Sequence, residues 1–514
     1  MNDNLFTRLA RPAGAAGMPF LVSPNDVVST YADLDRASAR VANALIAQGL
    51  APGDRVVAQI DKGAEAIVLY LATLRAGGVY LPLNTAYTLA ELEYFLSDSQ
   101  PRILVCTPAM HAGLAALAEA LGVQSVLTLG ADGSGSGSLP ALSATQISTF
   151  DDVPRSARDL AAILYTSGTT GRSKGAMLTH GNLVSNALVL REYWRYGAQD
   201  CLLHALPIFH IHGLFVAVNI TLAAGASLRL LPRFDPDLVF AQLPHCSVMM
   251  GVPTFYVRLL DDTRLTRAAT AHMRLFVSGS APLLDATHRA WHGRTGHAIL
   301  ERYGMTETSM NTSNPYDGER VPGTVGLPLP GVAVRVVDQH SGGELPCGST
   351  GMIEVRGPNV FAGYWRNPEK TRAEFRADGY FITGDLGQID ARGYVRIVGR
   401  GKDLIISGGY NVYPKEVETE LDALPGVLES AVIGLPHHDF GEAVTAAVMA
   451  PDRTPECNEA TMIAALKQRL AAYKCPKRVL FVDELPRNPM GKVQKNLLRQ
   501  QYAHLYSNDL KDSL

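Results

Sequence analysis

Cysteine is scarce in this sequence: six in 514 residues, with no C-x-x-C pair among them. Cys106, Cys201, Cys246, Cys347, Cys457 and Cys475 are scattered, which argues against a zinc site or a disulfide frame and for reduced thiols. Net charge is also nearly absent, at −3, and no basic run is interleaved with aromatics, so neither nucleic acid nor an acidic membrane surface is an expected partner. No segment offers eighteen uninterrupted apolar residues, and the first residues lack a basic stretch followed by an apolar core. The expected address is cytoplasmic, with no membrane association.

What is present fits a folded enzyme. A hydrophobic fraction of 47% with 18% charged residues belongs to a globular chain, and the length is too great for one compact core. Leu34, Ala37, Val41, Leu45 and Ile46 predict a helix over 31–48, followed by a strand at 54–60 and a helix at 65–76. Short apolar strands at 102–106, 125–129, 161–165 and 275–278 continue the alternation of an α/β body. From about 323 the pattern turns to short strands at 333–337, 351–356 and 393–398, a β-rich subdomain. Beyond 402, a helix at 414–423, strands at 430–433 and 443–449, a helix at 459–472 and a strand at 478–482 predict a separate α+β domain. The expected class is therefore α/β, with a large N-terminal domain of layered sheets over 1–401 and a small C-terminal domain over 402–514. The Gly/Ser-rich stretch 130–138 reads as a surface loop without function.

The densest chemistry lies at 165–175, where Thr166, Ser167, Gly168, Thr169, Thr170 and Lys174 follow an apolar run. Glycines let backbone N–H groups converge, hydroxyls add donors and Lys174 adds a point charge, the makings of a phosphate cradle. It fails the Walker pattern, because Ser173 stands where that rule needs glycine and Gly175 follows the lysine. A solvated Ser/Thr/Gly linker would share the composition. Four further clusters lie downstream: Glu301-Arg302-Tyr303-Gly304-Met305-Thr306-Glu307, Thr383-Gly384-Asp385, the glycine-rich run 399–414, and 486–492 ending in Lys492. Each alone could be an ordinary turn or corner.

In their order these clusters, with the segment 205–213 and Gly279-Ser280-Ala281-Pro282, resemble the adenylate-forming superfamily of acyl-CoA synthetases, amino-acid adenylation domains and luciferases over nearly the whole chain. The resemblance implies that a carboxylate attacks the α-phosphate of ATP, that pyrophosphate leaves, and that the acyl-adenylate is passed to the thiol of coenzyme A. It gives the Thr166–Lys174 loop to the β- and γ-phosphates, Thr306 to the α-phosphate and Glu307 to Mg²⁺. Gly279 to Pro282 with Tyr303 surround the adenine, Glu301, Arg302, Gly304 and Met305 belong to the same nucleotide site, and Asp385 with Arg400 nearby binds the ribose. Lys492 becomes the lysine between the two anions, Lys402 the pivot of a mobile C-terminal domain, and Ser407, Gly408 and Gly409 the lining of the pantetheine path. His210 stands at the acyl pocket beside the carboxylate. His210 and His212 could also be proposed as a metal pair, but no third ligand cluster accompanies them. His437 and His438 read as an exposed turn.

Substrate choice turns on fewer residues. No Asp lies within 209–213 to pair with an amino acid's ammonium. Arg258, with Ser280 as a hydroxyl partner, is similar to the pattern of malonyl-CoA synthetases, and an arginine facing the acyl pocket would favour a second carboxylate, hence malonate or methylmalonate. A solvent-facing Arg258 is the other reading. Alternatives are a CoA ligase for another small or aromatic carboxylate and an enzyme loading a carrier protein. A non-catalytic nucleotide module would be marked by loss of Glu307, Asp385 or Lys492, all of which are present. The Pro486-to-Lys492 spacing also resembles the site at which lysine acetyltransferases modify related synthetases, and acetylation would remove the charge that adenylation needs.

Overall fold

The computed structural model describes residues 2–130, 136–166, 173–407, 410–437, 440–451, 457–470, 472–489 and 491–506. Ser167, Gly168, Thr169, Thr170, Gly408, Gly409 and His438, with residues 131–135 of the Gly/Ser stretch, lie outside them. The chain forms two compact units: Met1–Val334 with Val355–Phe381, and Arg335–Glu354 with Ile382–Leu514.

The first unit is α/β, as expected, and is built on two sheets. One has nine strands, with a parallel centre in the spatial order Leu300–Met305, Leu275–Ser278, Val248–Gly251, Cys201–His204, Ser227–Leu230 and Pro19–Val22, and antiparallel strands at both edges. The other has six, with Arg55–Gln59 between Ile103–Cys106 and Val79–Pro82 and an antiparallel hairpin at one edge. Predicted elements match closely: the helix Tyr31–Ala47 begins at a capping box in which Thr30 accepts from the Asp33 N–H and Asp33 from the Thr30 N–H. Tyr256, Phe276 and Trp291 pack edge-to-face in the core, and the Tyr256 hydroxyl donates to the Val277 carbonyl at 2.7 Å. That bond pins the helix Pro253–Leu260 to the strand Leu275–Ser278, ahead of the turn carrying Gly279 and Ser280.

Two local features were not foreseen. The phosphate-type loop joins the strands Leu160–Thr166 and Lys174–Thr179 of one hairpin, so Thr166 and Lys174 are directly paired. Residues His212–Val218 form a π-helix, which runs on into the α-helix Asn219–Ala224.

The second unit holds most of a four-stranded sheet and a five-stranded sheet in which Gly441–Met449 lies between Glu429–His437 and Arg478–Phe481. The chain passes between the two compact units at 334/335, 354/355 and 381/382. The physical basis of the last crossing is that the strand Val395–Arg400 pairs with Phe381–Ile389 and packs on the helix Pro414–Asp422, tying 382–401 to the C-terminal residues. Lys402 thus lies inside the second unit.

Candidate active site

In the first unit, the hairpin fixes Lys174 at the end of a strand whose neighbour is the segment 361–365. Met177 N–H donates to Gly363 O at 2.9 Å and Trp365 N–H to Gly175 O at 2.7 Å, while Phe361 N–H donates to Glu307 O at 2.8 Å. The same segment therefore ties Lys174 to Glu307. Around them, the Tyr364 hydroxyl lies 3.2 Å from Glu307 Oε1 and 2.6 Å from Glu374 Oε2, and Lys174 Nζ is 4.0 Å from Glu374 Oε1. Glu307 and Tyr364 are buried, and burial lowers the Lys174 ammonium below its ordinary range. Thr306 is half-buried beside Glu307.

A second cluster sits beyond the carboxyl ends of the parallel strands. Alternation along Leu300–Met305 sends Arg302 to the opposite face from Glu301 and Tyr303. Arg302, expected among the nucleotide-binding residues, is thereby turned toward Gly279. Its guanidinium lies over Gly279, where a Cβ would come within 2.3 Å of Cζ. Arg302 is 3% exposed, and its Nε and Nη2 have no hydrogen-bond partner among the described residues. Burial pushes it down to about 9, an unusual position for an arginine. Ser280, at φ 72° in the left-handed region, places its hydroxyl 3.3 Å from His212 Nδ1. Burial, with Arg302 nearby, pushes His210 down to about 4 and His212 well below the ordinary range, so both imidazoles are neutral at pH 7. The cluster is thus a cation among neutral donors and acceptors, a receptor for an anion.

Arg258, expected to face this pocket, is exposed, since the helix Pro253–Leu260 turns Tyr256 and Leu259 inward. Ala281 is half-buried and Pro282 exposed on the turn after Ser280. Glu301 is buried with Oε1 at 3.5 Å from His288 Nδ1, and burial raises its carboxyl. Sequence reasoning missed Lys62, whose ammonium donates to His204 O at 2.8 Å and is pushed well down by burial, and it missed Tyr364 and Glu374 altogether. No sequence signal marks these three, since each becomes notable only through its neighbours.

In the second unit, Asp385 and Arg400 are register partners on adjacent strands, with Arg400 Nε 2.7 Å from Asp385 Oδ1. The Thr383 hydroxyl accepts from the Asp385 N–H at 3.0 Å, fixing the backbone at Asp385. Lys492 ends a turn in which Gly491, at φ 74°, donates to Asn488 O at 2.8 Å, a position that glycine fills without strain. Burial, then Arg400, pushes the Lys492 ammonium down to about 8, against the pull of Asp385 and Asp403. Lys402 lies in the same electrostatic neighbourhood, and Asp403 is held by Arg499 at 2.8 Å. Ser407 is buried at the strand pairing with Tyr410 and Gly441.

The donor sets suit particular ligands. Glu307 is buried and shares one phenol proton with Glu374, and a carboxylate is the ligand type that a hard cation takes. Among the described residues no group of three or more His, Cys, Asp or Glu could hold a metal ion. No helix among them is long and apolar enough to cross a membrane.

Residues 10–365 match the AMP-binding enzyme family, and residues 416–492 match the C-terminal domain of AMP-binding enzymes. The chain is 60% identical to ATP-bound MatB from Rhodopseudomonas palustris, with a TM-score of 0.96 over 98% of this chain and 100% of that one. It is 38% identical to the mitochondrial malonate–CoA ligase ACSF3 of Mus musculus over 92% of this chain and 87% of that protein. It is 37% identical to the sulfoacetate–CoA ligase of Cupriavidus necator over 96% and 97% of the respective chains.

Proposed function

This chain belongs to the AMP-binding enzyme family, and from that premise we propose that it is a malonate–CoA ligase. It activates malonate with ATP to malonyl-adenylate, releasing pyrophosphate, and transfers the malonyl group to the thiol of coenzyme A, releasing AMP. The observation that carries the choice of acid is Arg302, a buried guanidinium with unpartnered nitrogens beside His210, His212 and Ser280. A buried charge left without its partner costs about 3–5 kcal/mol, so an acid bringing a second carboxylate is favoured over a monocarboxylate by roughly a hundredfold or more. Arg258, being exposed, guides the acid in and adds at most about 1 kcal/mol.

The residues then divide the work. Carboxylate and α-phosphate repel, and Lys492 supplies the positive charge between them, braced in a neighbourhood with Asp385 and Arg400 that also suits a ribose. Lys174 takes the departing phosphates, Thr306 the α-phosphate, and Gly279, Ala281, Pro282 and Tyr303 border the adenine. Bound at Glu307, Mg²⁺ would supply neutralising charge to the phosphate oxygens. Neutral His210 offers a hydrogen bond to the acyl carboxylate. For the thioester step the C-terminal domain pivots at Lys402, bringing Ser407, Gly408 and Gly409 to the pantetheine arm. Acetylation of Lys492 by a lysine acetyltransferase would stop adenylation by removing its charge. A cytoplasmic setting rests on the scattered free thiols.

The test is pyrophosphate release across malonate, methylmalonate, sulfoacetate, butyrate and benzoate, with CoA as acceptor. Malonate should lead butyrate by at least about a hundredfold in kcat/KM. Equal rates on the two would sink the malonate assignment while leaving the adenylating chemistry intact.

A further inference from the structure

Lys174 and Glu307 are joined by two side chains to which the proposed function gives no task, Tyr364 and Glu374. The Tyr364 hydroxyl stands 2.6 Å from Glu374 Oε2 and 3.2 Å from Glu307 Oε1, yet it has one proton and can donate to only one carboxylate at a time. Glu374 also accepts from Lys370 Nζ at 2.6 Å and lies 4.0 Å from Lys174 Nζ, and that ammonium is 5.2 Å from the centre of the Tyr364 ring. Two carboxylates and two ammonium groups are thus gathered round one phenol. The arrangement is held by backbone on both sides. The segment 361–365 bonds to the strand carrying Lys174 and to the Glu307 carbonyl, and the Thr371 hydroxyl accepts from the Tyr364 N–H at 2.9 Å, fastening the short helix that ends at Glu374.

We propose that Tyr364 and Glu374 are positioning residues that couple the cation carboxylate to the phosphate lysine. Glu374 stands in for phosphate, parking the Lys174 ammonium while no nucleotide is bound, and Tyr364 holds the Glu307 carboxylate in place for a cation. An incoming triphosphate draws Lys174 away, and Lys370, the nearer of the two cations, stays to balance Glu374. A cation at Glu307 takes over the phenol's place there and leaves the phenol proton to Glu374, at the point where Glu374 has given up Lys174. Each ligand thereby lowers the cost of admitting the other.

The inference rests on the proposed function only as far as ATP binding, and not on malonate. It is tested by calorimetric titration of the full chain with ATP in the absence of acid, with and without Mg²⁺. Glu374→Gln should tighten Mg²⁺-free ATP binding about two- to fivefold, the scale of a part-exposed ion pair, and Lys370→Met should weaken it by a similar factor. In a Lys174→Ala background both effects should vanish, which a general change in surface charge would not produce. Tyr364→Phe should leave Mg²⁺-free binding within about twofold while raising the Mg²⁺ concentration for half-maximal tightening about fivefold. Effects of Glu374→Gln that persist without Lys174, or an unmoved Mg²⁺ dependence in Tyr364→Phe, would overturn the proposal. The Lys370→Met variant, at a half-buried position, keeps the first arm decisive should Glu374→Gln not fold. Failure of the unmodified chain to bind ATP would instead strike the functional reading.

Discussion

An arginine buried without a carboxylate raises the free energy of the ligand-free protein, because its charge has lost water and gained no compensating partner. Arg302 is such a residue, and it should reveal itself through opposite changes in activity and stability. Arg302→Met is expected to lower kcat/KM for malonate at least about a hundredfold while raising thermal stability by about 1–4 kcal/mol, read by steady-state kinetics and calorimetric melting. A loss of both would mean that Arg302 is structural. Arg258→Ala should cost no more than about fivefold in kcat/KM, since an exposed cation is screened. Lys492 makes a prediction in pH. Its folded-state pKa is lowered to about 8, so the ammonium is present below that value and is lost as pH rises through it. Pyrophosphate formation should therefore fall on an alkaline limb near pH 8, and thioester formation from preformed malonyl-adenylate should lack that limb. The identity of these residues could be read in the sequence, whereas the burial that shifts them could not, because it is set by side chains distant along the chain.

Elements place these groups, and the segment 205–224 shows how. The turn before the π-helix His212–Val218 brings Gly213 so close to Pro207 that a Cβ would lie 2.0 Å from its carbonyl oxygen. Backbone cannot yield as a flexible side chain does, so Gly213→Ala should destabilise the protein by about 1–3 kcal/mol and displace His212 from Ser280, seen as a lower melting temperature together with a raised KM for malonate. Ordinary strands and helices were legible here because their periodicity is local: the helix over 31–48 and the strand at 275–278 match Tyr31–Ala47 and Leu275–Ser278. The π-helix was not, since all seven of its residues are buried and an apolar run without a polar face carries no readable period. The hairpin around the phosphate loop was missed for a related reason. Loop composition announces a turn but not which strand it returns to.

At the level of the whole molecule, the two half-reactions should separate. Lys492→Ala is expected to abolish malonyl-adenylate formation by more than about a hundredfold and to leave thioester formation from supplied adenylate within a few-fold. Lys402→Pro, by fixing φ at the proposed pivot, should do the reverse, sparing pyrophosphate release and suppressing thioester formation. Rapid-quench measurement of each half-reaction checks both, and equal loss in either variant would count against two working orientations. The sequence by itself determined the class of fold, the family and the order of its motifs, because these depend on local periodicity and on short clusters whose chemistry is intrinsic to the residues. Tertiary structure alone decided which arginine is buried and unpaired, that Lys62, Tyr364 and Glu374 surround groups the motifs name, and that 382–401 coheres with the C-terminal unit. Each of these depends on distance and desolvation between residues far apart in the chain, and those quantities exist only once the chain is packed.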